Sequence, residues 1–388
     1  MKIIFLSFSD YKGGAAIAAH SIFKAIKIKN SLFLTFYSKF KNSVEIYSLL
    51  KKIYIIKLRI LEKILIFFFS KKKFHQSLNI FNTFTQKKIS RMSPDLINIH
   101  WVNRSMISIK ELILFEQKIV VSLHDMWFIN STEHYSTNKK KKNNFLSKYC
   151  LQLKKKFLYK KNVFFIAHNN WMYNEFLKVH PRLKKKIFIS KYYPIDINLF
   201  KPRNKKFLRK KYKIPLDKKV ILFSAQDMKD ERKGFYYFKK ILKNLSTDDE
   251  FFFISIGKNN PRFEKIKNYK NIEFLTNEKI SEFYSLADIY ICNSLIDNLP
   301  LTILEALSSG NLVISFKNGG AEEVLKKIGF SYKISEIDKM IKLIKKIDKN
   351  LINKRSKLSR EFAVKNFSYE NSKKNYLKIF HKVLQLKN

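Results

Sequence analysis

Residues 293–325 read NSLIDNLPLTILEALSSGNLVISFKNGGAEEVL, and this stretch carries the clearest structural and chemical pattern of the chain. Pro300 precedes an apolar helical pattern, so the amides around it would form an anion site at the positive end of a helix dipole. Glu305 would lie about one turn into that helix, where its carboxylate can accept hydrogen bonds from two vicinal hydroxyls, such as a ribose diol. The pattern therefore predicts a nucleoside diphosphate ligand. The predicted contact residues are Asn298, Leu299, Pro300, Leu301, Thr302 and Glu305.

On both sides of this stretch, short apolar runs alternate with helical patterns, which is typical of parallel sheets covered by helices. The predicted strands are residues 2–8, 31–37, 96–101, 119–123, 163–168, 219–223, 251–256, 272–275, 289–292 and 312–316. The main predicted helices are residues 15–27, 105–115, 235–245, 280–287, 301–307, 335–346 and 368–386. Pro194 and Pro202 bracket an extended polar stretch that predicts a linker. We therefore expect an α/β fold of two doubly wound, Rossmann-like domains that face each other across a ligand-binding cleft.

The composition excludes some classes of partner. The chain has 388 residues and a formal charge of +47, a field that concentrates polyanions. Only 10 of its 78 basic residues are Arg, the residue that nucleic-acid readers favour for bidentate contacts. We therefore predict no nucleic-acid partner, but attraction to an anionic membrane surface. Cys150 and Cys292 lie far apart and indicate neither a disulfide framework nor a metal site, which fits a reducing compartment.

The sequence predicts a protein that does not span a membrane, because no segment offers the roughly 18 uncharged apolar residues required. The N-terminal MKIIFLSFSDYKGG lacks a small-residue cleavage site and indicates a buried strand rather than a signal peptide. Residues 48–70 form a helical pattern with Lys52, Arg59 and Lys63 on one stripe and apolar residues around most of the rest. This pattern fits an interfacial helix, or equally a buried helix with a basic solvent edge.

Three further features follow the ends of predicted strands. Gly13 and Gly14 open the first helix, where glycine lets the backbone approach a pyrophosphate. His124 follows a strand of the first half. Arg232 and Lys233 lie in a charged loop after the first strand of the second half. Taken singly, each could be a structural or solvated residue.

In this order along the chain, the features resemble retaining family 4 glycosyltransferases of the GT-B fold. The resemblance rests on Asp297 and, eight residues later, Glu305, and it continues through Gly310 to the GG-x-x-E segment that ends at Glu323. Asp297 stands where Glu is commoner in the family. This DNLP form occurs in a subgroup that is associated with capsule, exopolysaccharide and colanic-acid synthesis.

The resemblance also assigns roles. His124 is similar to the family's active-site His, which contacts the transferred sugar, and Lys233 is similar to its phosphate-neutralising Lys. An Arg usually precedes that Lys by five or six residues, but those positions hold Asp227 and Met228. Arg232 is the expected substitute.

The resemblance implies an acceptor-binding domain at residues 1–194, a nucleotide-sugar-binding domain at 195–368, and a terminal helix at 369–388 that crosses back to the first domain. It implies transfer of a sugar, with retention of configuration, to a lipid-linked saccharide at the inner face of the cytoplasmic membrane. The implied catalytic residues are His124, Asp297 and Lys233, and donor binding adds Gly13, Gly14 and Arg232. We expect no cofactor and no metal, since Asp-x-Asp and His/Cys clusters are lacking. A sugar-nucleotide epimerase and a non-catalytic donor-binding homologue are the alternatives.

Overall fold

The computed structural model describes residues 1–69, 75–135, 144–273 and 275–386. The chain forms two compact units. Unit 1 comprises Met1–Lys191 together with Ser372–Asn388, and unit 2 comprises Tyr192–Asn371. Each unit is built around its own parallel β-sheet.

Unit 1 contains a seven-stranded sheet with the strand order β3-β2-β1-β4-β5-β6-β7, and all of its pairings are parallel. Its strands are β1 (Ile3–Ser9), β2 (Leu32–Tyr37), β3 (Ser43–Glu45), β4 (Leu96–Ile99), β5 (Lys118–Ser122), β6 (Val163–Ala167) and β7 (Ile187–Ile189). The helices within its first segment, Met1–Lys191, are α1 (Gly14–Ile26), α2 (Leu49–Phe69), α3 (Thr85–Ser90), α4 (Ile109–Ile113), α5 (Phe145–Leu158) and α6 (Asn170–Val179), with a 3-10 helix at Pro181–Lys186. Strand β1 is buried along its whole length, as expected for a central parallel strand.

Unit 2 contains a six-stranded parallel sheet with the order β10-β9-β8-β11-β12-β13. Its strands are β8 (Lys219–Asp227), β9 (Phe251–Lys258), β10 (Tyr269–Ile272), β11 (Ile289–Cys292), β12 (Leu312–Phe316) and β13 (Phe330–Tyr332). Its helices are α7 (Lys205–Lys211), α8 (Phe235–Leu245), α9 (Asn277–Leu286), α10 (Leu301–Ser308), α11 (Ala321–Leu325), α12 (Ile337–Lys346) and α13 (Lys349–Phe367), with 3-10 helices at Glu231–Lys233 and Ile334–Glu336. The strand order reverses between β8 and β11, which is where ligands of such sheets bind.

The last helix, α14 (Tyr369–Gln385), begins in unit 2 and continues in unit 1. Its residues Tyr376, Phe380 and Val383 are fully buried. The Phe380 ring lies 6.3 Å from that of Phe5 on β1. The terminal segment is therefore part of the core of unit 1.

The predicted α/β class with two doubly wound sheets is confirmed, but some element boundaries were wrong. The predicted helix at 105–115 is only five residues long, because Arg104 and Ser105 adopt positive φ angles and the helix starts after the capping box of Ser108 and Glu111. The strand predicted at 272–275 lies at Tyr269–Ile272, where it pairs with β9. Part of the predicted range, residue 274, lies outside the described residues.

The stretch after Pro194, predicted as an extended polar linker, is packed within unit 2. Tyr193, Ile195 and Phe200 are buried, and the Ile195 amide donates to the Phe367 carbonyl at 2.8 Å. The sequence analysis did not predict helix α13, which is hydrogen-bonded to this stretch. The buried face of α13 contains few apolar residues, so its helical pattern is weak. Arg360 on α13 donates to the Phe200 carbonyl at 3.0 Å, which holds the stretch in place.

Helix α2 exposes most of its apolar side chains. Among its described residues, only Ile55 and Glu62 are buried. Lys52 contacts Glu45, and Arg59 packs over the Phe8 ring, so these two cations face the protein. The exposed apolar residues are Leu49, Leu50, Ile53, Tyr54, Ile56, Ile60, Leu61, Ile64, Phe67, Phe68 and Phe69. The alternative of a buried helix with a basic solvent edge is therefore wrong, since the apolar side chains are exposed and Lys52 and Arg59 contact the protein. Residue 70, the end of the predicted segment, lies outside the described residues.

Candidate active site

The loop after β8 brings Arg232 and Lys233 to the carboxyl edge of the unit 2 sheet. The short helix Glu231–Lys233 is capped by Asp230, whose carboxylate accepts from the Arg232 amide at 3.1 Å. Gly234 then adopts a φ of +72°, and a Cβ there would lie 1.8 Å from the carbonyl oxygen of Asn293. Glycine therefore allows the loop to pack against the residue that follows β11, which fixes the position of Lys233.

Asp297 lies between the two cations. Lys233 Nζ is 2.6 Å from Asp297 Oδ2, and Arg232 NH1 is 3.0 Å from the same oxygen. Burial opposes ionisation of Asp297, but the charges of Lys233 and Arg232 outweigh it and lower its pKa to about 2. The site therefore holds an ionised carboxylate and two cations in direct contact at neutral pH.

The backbone around Asp297 rests on a glycine pair. Gly319 has a φ of +95°, and a Cβ there would lie 1.6 Å from the Asp297 carbonyl oxygen. The Gly320 amide donates to the Asn298 carbonyl at 2.7 Å, and the Asn298 side chain donates to the Tyr193 hydroxyl at 3.2 Å. The positive φ and the close approach of Asp297 explain why residue 319 is a glycine, and these contacts together fix the entry to α10.

Helix α10 begins directly after this segment, with Pro300 as its N-cap residue and no side-chain cap. The first amides of a helix have no acceptor within it, so those of Leu301 and Thr302 are directed beyond the helix start. Leu299 and Asn298 are buried, and they hold the preceding turn in place. The five predicted residues from Asn298 to Thr302 thus form the N-terminus of α10 and the turn before it, and Asp297 directly precedes them in the chain.

Glu305 lies one turn into α10 and is half-buried. Burial raises its pKa to about 7, and the Tyr284 hydroxyl partly offsets that effect. The same hydroxyl lies 3.0 Å from Ser224 Oγ, which is in turn 3.1 Å from the Tyr290 hydroxyl. Glu305 therefore borders a buried hydroxyl network, and its charge changes near neutral pH.

The predicted residues of unit 1 follow the carboxyl ends of its strands. Gly13 has a φ of +95° and caps α1 without a side-chain hydrogen bond. A Cβ on Gly14 would meet no atom within 4 Å in the described part of the chain. The turn after β1 therefore leaves open space in front of a helix N-terminus.

His124 follows β5 and is buried at 8% exposure. Its Nε2 lies 2.8 Å from Nδ1 of His100, and its ring centroid lies 5.5 Å from that of His168. Burial lowers the pKa of His124 to about 4 and holds that of His100 well below its usual value. His124 is therefore a neutral imidazole at pH 7, held by a neighbouring histidine.

The next residue, Asp125, makes a contact that the sequence analysis missed. Asp125 Oδ2 lies 2.5 Å from His134 Nδ1 and accepts from Trp101 Nε1 at 2.8 Å. The buried Lys154 donates to the Ser131 carbonyl at 2.9 Å and lies over the Trp127 ring. These contacts hold residues 125–134 in place behind His124.

No group of His, Cys, Asp or Glu suited to holding a metal ion occurs among the residues that the structure describes. Within the same residues, no helix has both the length and the apolarity to cross a membrane.

Comparisons with known proteins agree with this architecture. Residues 204–363 match the family model described as Glycosyl transferases group 1. A search of curated proteins gave no match to the chain. The structure of HepE from Anabaena in complex with UDP-glucose is similar, with a TM-score of 0.70, 17% identity, and coverage of 98% of this chain and 100% of that chain.

Two other solved structures are similar over comparable lengths. A glycosyltransferase from Rickettsia africae ESF-5 has a TM-score of 0.68, 16% identity, and coverage of 100% of this chain and 99% of that chain. WaaG, a glycosyltransferase involved in lipopolysaccharide biosynthesis, has a TM-score of 0.67, 14% identity, and coverage of 96% and 98%.

These similarities define the class of the protein: it has the GT-B fold, as the sequence predicted. The match to the Glycosyl transferases group 1 model is limited to residues 204–363, the range in which Lys233, Asp297 and Glu305 lie. The predicted resemblance is confirmed to that extent.

Proposed function

We propose that the protein is a retaining glycosyltransferase that moves a sugar from a nucleotide-sugar donor to a lipid-linked saccharide during surface-polysaccharide synthesis. The observation that carries the proposal is the grouping in unit 2 of Lys233, Arg232, the N-terminus of α10 and Glu305. Two cations and uncapped amides suit a diphosphate, and a carboxylate one turn away suits a ribose.

In the proposed reaction, the donor diphosphate binds to the amides of Leu301 and Thr302 and takes over contacts of Lys233 and Arg232. As the glycosidic bond breaks, negative charge grows on the diphosphate, and preorganised cations stabilise it more than the ground state. Lys233 and Arg232 supply the positive charge, so the proposal needs no metal or cofactor. Asp297 and His124 position the sugar, and the leaving diphosphate accepts the acceptor proton on the same face.

We propose a nucleoside diphosphate sugar as donor, with UDP-sugars tested first, because the similar Anabaena structure was determined with UDP-glucose. The sequence has Asp227 and Met228 where the family usually has an Arg. Arg232 is a reasonable replacement because its guanidinium, like the Lys233 ammonium, contacts Asp297. Both cations are therefore close enough to meet the same ligand.

We further propose that the protein works in the cytoplasm, peripherally at the inner face of the membrane. The support is helix α2, whose residues Leu50, Phe67 and Phe68 are 80%, 79% and 73% exposed. Apolar side chains of this size on one helix suit insertion among lipid headgroups. The overall charge of +47 adds attraction to an anionic leaflet.

The test is a thermal-shift screen over UDP-, GDP-, ADP- and dTDP-sugars, followed by turnover measurements with the stabilising donor. Glu305→Gln keeps the side-chain shape but removes the charge, and it should weaken donor binding by about 1.5 to 3 kcal/mol. Glu322→Gln, on an exposed carboxylate of α11, is the matched control.

Stabilisation by no donor, or equal donor affinity in the folded Glu305→Gln protein and the parent, would refute the donor site. Donor conversion without any acceptor, giving an altered sugar, would indicate an epimerase instead. Donor binding without turnover, over a range of lipid-linked acceptors, would indicate a binding protein.

A further inference from the structure

An aromatic surface, formed by the half-buried Tyr37 and Trp101 over the buried Phe8, lies at the carboxyl edge of the unit 1 sheet. The Phe8 ring on β1 lies 5.7 Å from the Tyr37 ring at the end of β2 and 6.0 Å from the Trp101 ring after β4. All three residues follow or end adjacent strands of the sheet. This edge is where the strand order reverses between β1 and β4, so it is the expected ligand position of the unit.

Three cations lie against this surface. The guanidinium carbon of Arg104 is 5.4 Å from the Phe8 ring centroid and 5.5 Å from that of Trp101. The guanidinium carbon of Arg59, on α2, is 6.0 Å from the Phe8 centroid. Lys12 Nζ lies 4.9 Å from the Tyr37 centroid. The aromatic rings thus gather positive charge from three separate segments of the chain.

The two arginines have no carboxylate partner among the described residues. The carboxylates of this region are engaged elsewhere: Asp125 with His134, Glu45 with Lys52, and Asp10 with the amides of Lys39 and Phe40. Arg104 Nε is buried and, in the part of the chain that the structure describes, has no hydrogen-bond partner. Half-buried arginines of this kind are normally paired.

Without a bound anion, the placement of Arg59 and Arg104 also costs free energy. Burial, and then the charge of Arg59, lower the pKa of Arg104, yet a guanidinium remains charged at neutral pH. Arg104 has a φ of +60°, and Ser105 one of +59°, which are strained conformations for residues other than glycine. A bound anion would remove the repulsion and supply the missing acceptors.

We propose that Arg59 and Arg104, with Lys12 at the edge, form a binding site for the phosphate or diphosphate group of the acceptor. Arginine forks bind phosphate oxygens in pairs, and the rings behind them limit competition from water. The assignment of this anion to the acceptor rests on the proposed function. The existence of the anion site does not.

The position of Arg59 adds a reason to expect an amphiphile. Arg59 lies on the protein-facing side of α2, while the same helix exposes Ile60, Phe67 and Phe68 on its other sides. If the phosphate bound to Arg59 belongs to a lipid, the apolar chain of that lipid would lie within reach of the exposed apolar side chains of α2. A soluble phosphosugar has the same headgroup chemistry without that chain.

The test is calorimetric titration of the folded protein with inorganic pyrophosphate. The parent protein carries Lys233→Gln and Arg232→Gln, so that the unit 2 site does not contribute. In this background, Arg59→Gln and Arg104→Gln should each weaken pyrophosphate binding by about tenfold or more. Arg104→Lys should restore part of the affinity, and Arg91→Gln, which removes an exposed arginine from the same unit, should have no effect.

Equal pyrophosphate affinity in Arg59→Gln, Arg104→Gln and their parent would overturn the proposal. If Arg104→Gln does not fold, Arg59→Gln and Arg104→Lys still decide the question, because both keep the Arg104 position occupied by a cation. Without pyrophosphate, both glutamine variants should melt at or above the temperature of their parent, since each removes a repulsion. A loss of thermal stability in both would assign these arginines to packing and would also overturn the site.

A second arm separates the two sources of the phosphate. Binding of the protein to phosphatidylcholine vesicles is measured with and without a polyprenyl diphosphate in the membrane. Separately, a soluble hexose phosphate is tested as a competitor of pyrophosphate. Vesicle binding that requires both the diphosphate lipid and the two arginines would support a lipid acceptor. Competition by the hexose phosphate, without such vesicle binding, would support a soluble phosphosugar. The donor screen is independent of both arms, so failure of one proposal does not conceal failure of the other.

Discussion

Lys233 Nζ lies 2.6 Å from Asp297 Oδ2, so the residue predicted to meet the donor diphosphate is paired with a carboxylate before any donor binds. Arg232 contacts the same oxygen at 3.0 Å. Asp297 thereby keeps two long cationic side chains in a defined place, which reduces the entropy lost when a diphosphate arrives. It also competes with that diphosphate for both cations.

Asp297→Asn should therefore separate binding from catalysis. Removal of the carboxylate charge leaves Lys233 and Arg232 free to bind phosphate, so affinity for the nucleoside diphosphate product should rise. Turnover should fall by at least about tenfold, because the cations and the sugar lose a positioning contact. Product inhibition constants and kcat, measured on the same preparation, check the prediction. Weaker product binding in the variant would contradict it.

Lys233→Ala should act mainly on kcat, because the charge that Lys233 meets grows as the glycosidic bond breaks. Lys229→Ala, which changes a nearby lysine of the same loop and keeps the ion pairs of Lys233 and Arg232 with Asp297, is the control. Steady-state kinetics with varied donor distinguish the outcomes. An increase in KM with unchanged kcat would assign Lys233 to ground-state binding instead.

Glu305 predicts opposite effects of pH on stability and on donor binding. Its pKa is raised to about 7 in the folded protein, so between pH 4.5 and 7 the folded state binds more protons than the unfolded state. The free energy of unfolding of the ligand-free protein should therefore fall as pH rises through this range, by at most about 3 kcal/mol. Donor affinity should rise over the same range, since the ribose needs the ionised carboxylate. Glu305→Gln should lose both dependences, as measured by thermal unfolding and donor titration.

His100 should set the tautomer of His124. One proton lies between His100 Nδ1 and His124 Nε2, which are 2.8 Å apart, and His100 Nε2 is buried without a partner among the described residues. An unpaired buried lone pair costs less than an unpaired N–H, so the proton belongs on His100 Nδ1, and His124 is protonated on Nδ1.

Nitrogen-15 NMR of the two imidazoles tests this assignment. His100→Phe should release the His124 tautomer and lower kcat, whereas His100→Asn should retain it, because its amide nitrogen can stand in for Nδ1. His180→Phe, which removes another buried histidine of unit 1, is the control. A His124 proton on Nε2 in the parent, or no change in His100→Phe, would refute the assignment.

Helix α2 should bind membranes mainly through its apolar residues. Phe67→Ser with Phe68→Ser should reduce sedimentation with vesicles, whereas Phe207→Ser, which changes a 64% exposed aromatic of unit 2, should not. Lys57→Gln with Lys63→Gln should reduce the salt dependence of binding, at about 1 kcal/mol for each charge. Lys52→Gln should leave it unchanged, because Lys52 contacts Glu45. Vesicle binding that survives the phenylalanine changes would place the membrane contact elsewhere.

The sequence was sufficient for the parallel sheets and for the α10 segment, because both depend on local patterns. The alternation of apolar runs identifies strands that are buried on both faces. Pro300, followed by an apolar helical pattern that contains Glu305, indicates a helix start from residues close together in the sequence. The pairing of Lys233 with Asp297 could not be predicted, since it depends on Gly234 packing against Asn293 across a long separation in sequence.

The sequence could not decide the orientation of α2 for a similar reason. A helical wheel identifies a charged stripe but not the face that contacts the protein, and here the charges of Lys52 and Arg59 face inward because Glu45 and the Phe8 ring receive them. Arg104 gave no sequence signal at all, since a single arginine has no pattern. Its importance comes from the lack of a partner carboxylate among the residues that the structure describes, which only the packing of several strands reveals.

The division of unit 1 into two chain segments imposes an order on biosynthesis. During translation, residues 192–371 emerge as an uninterrupted stretch and can complete their own sheet while the ribosome is still at work. Unit 1 must wait, because Tyr376, Phe380 and Val383 fill its interior and are synthesised only after all of unit 2. The first segment of unit 1, Met1–Lys191, would thus persist with an unfilled core until α14 has been synthesised. Removal of residues 372–388 would therefore damage the unit whose synthesis begins first, rather than unit 2.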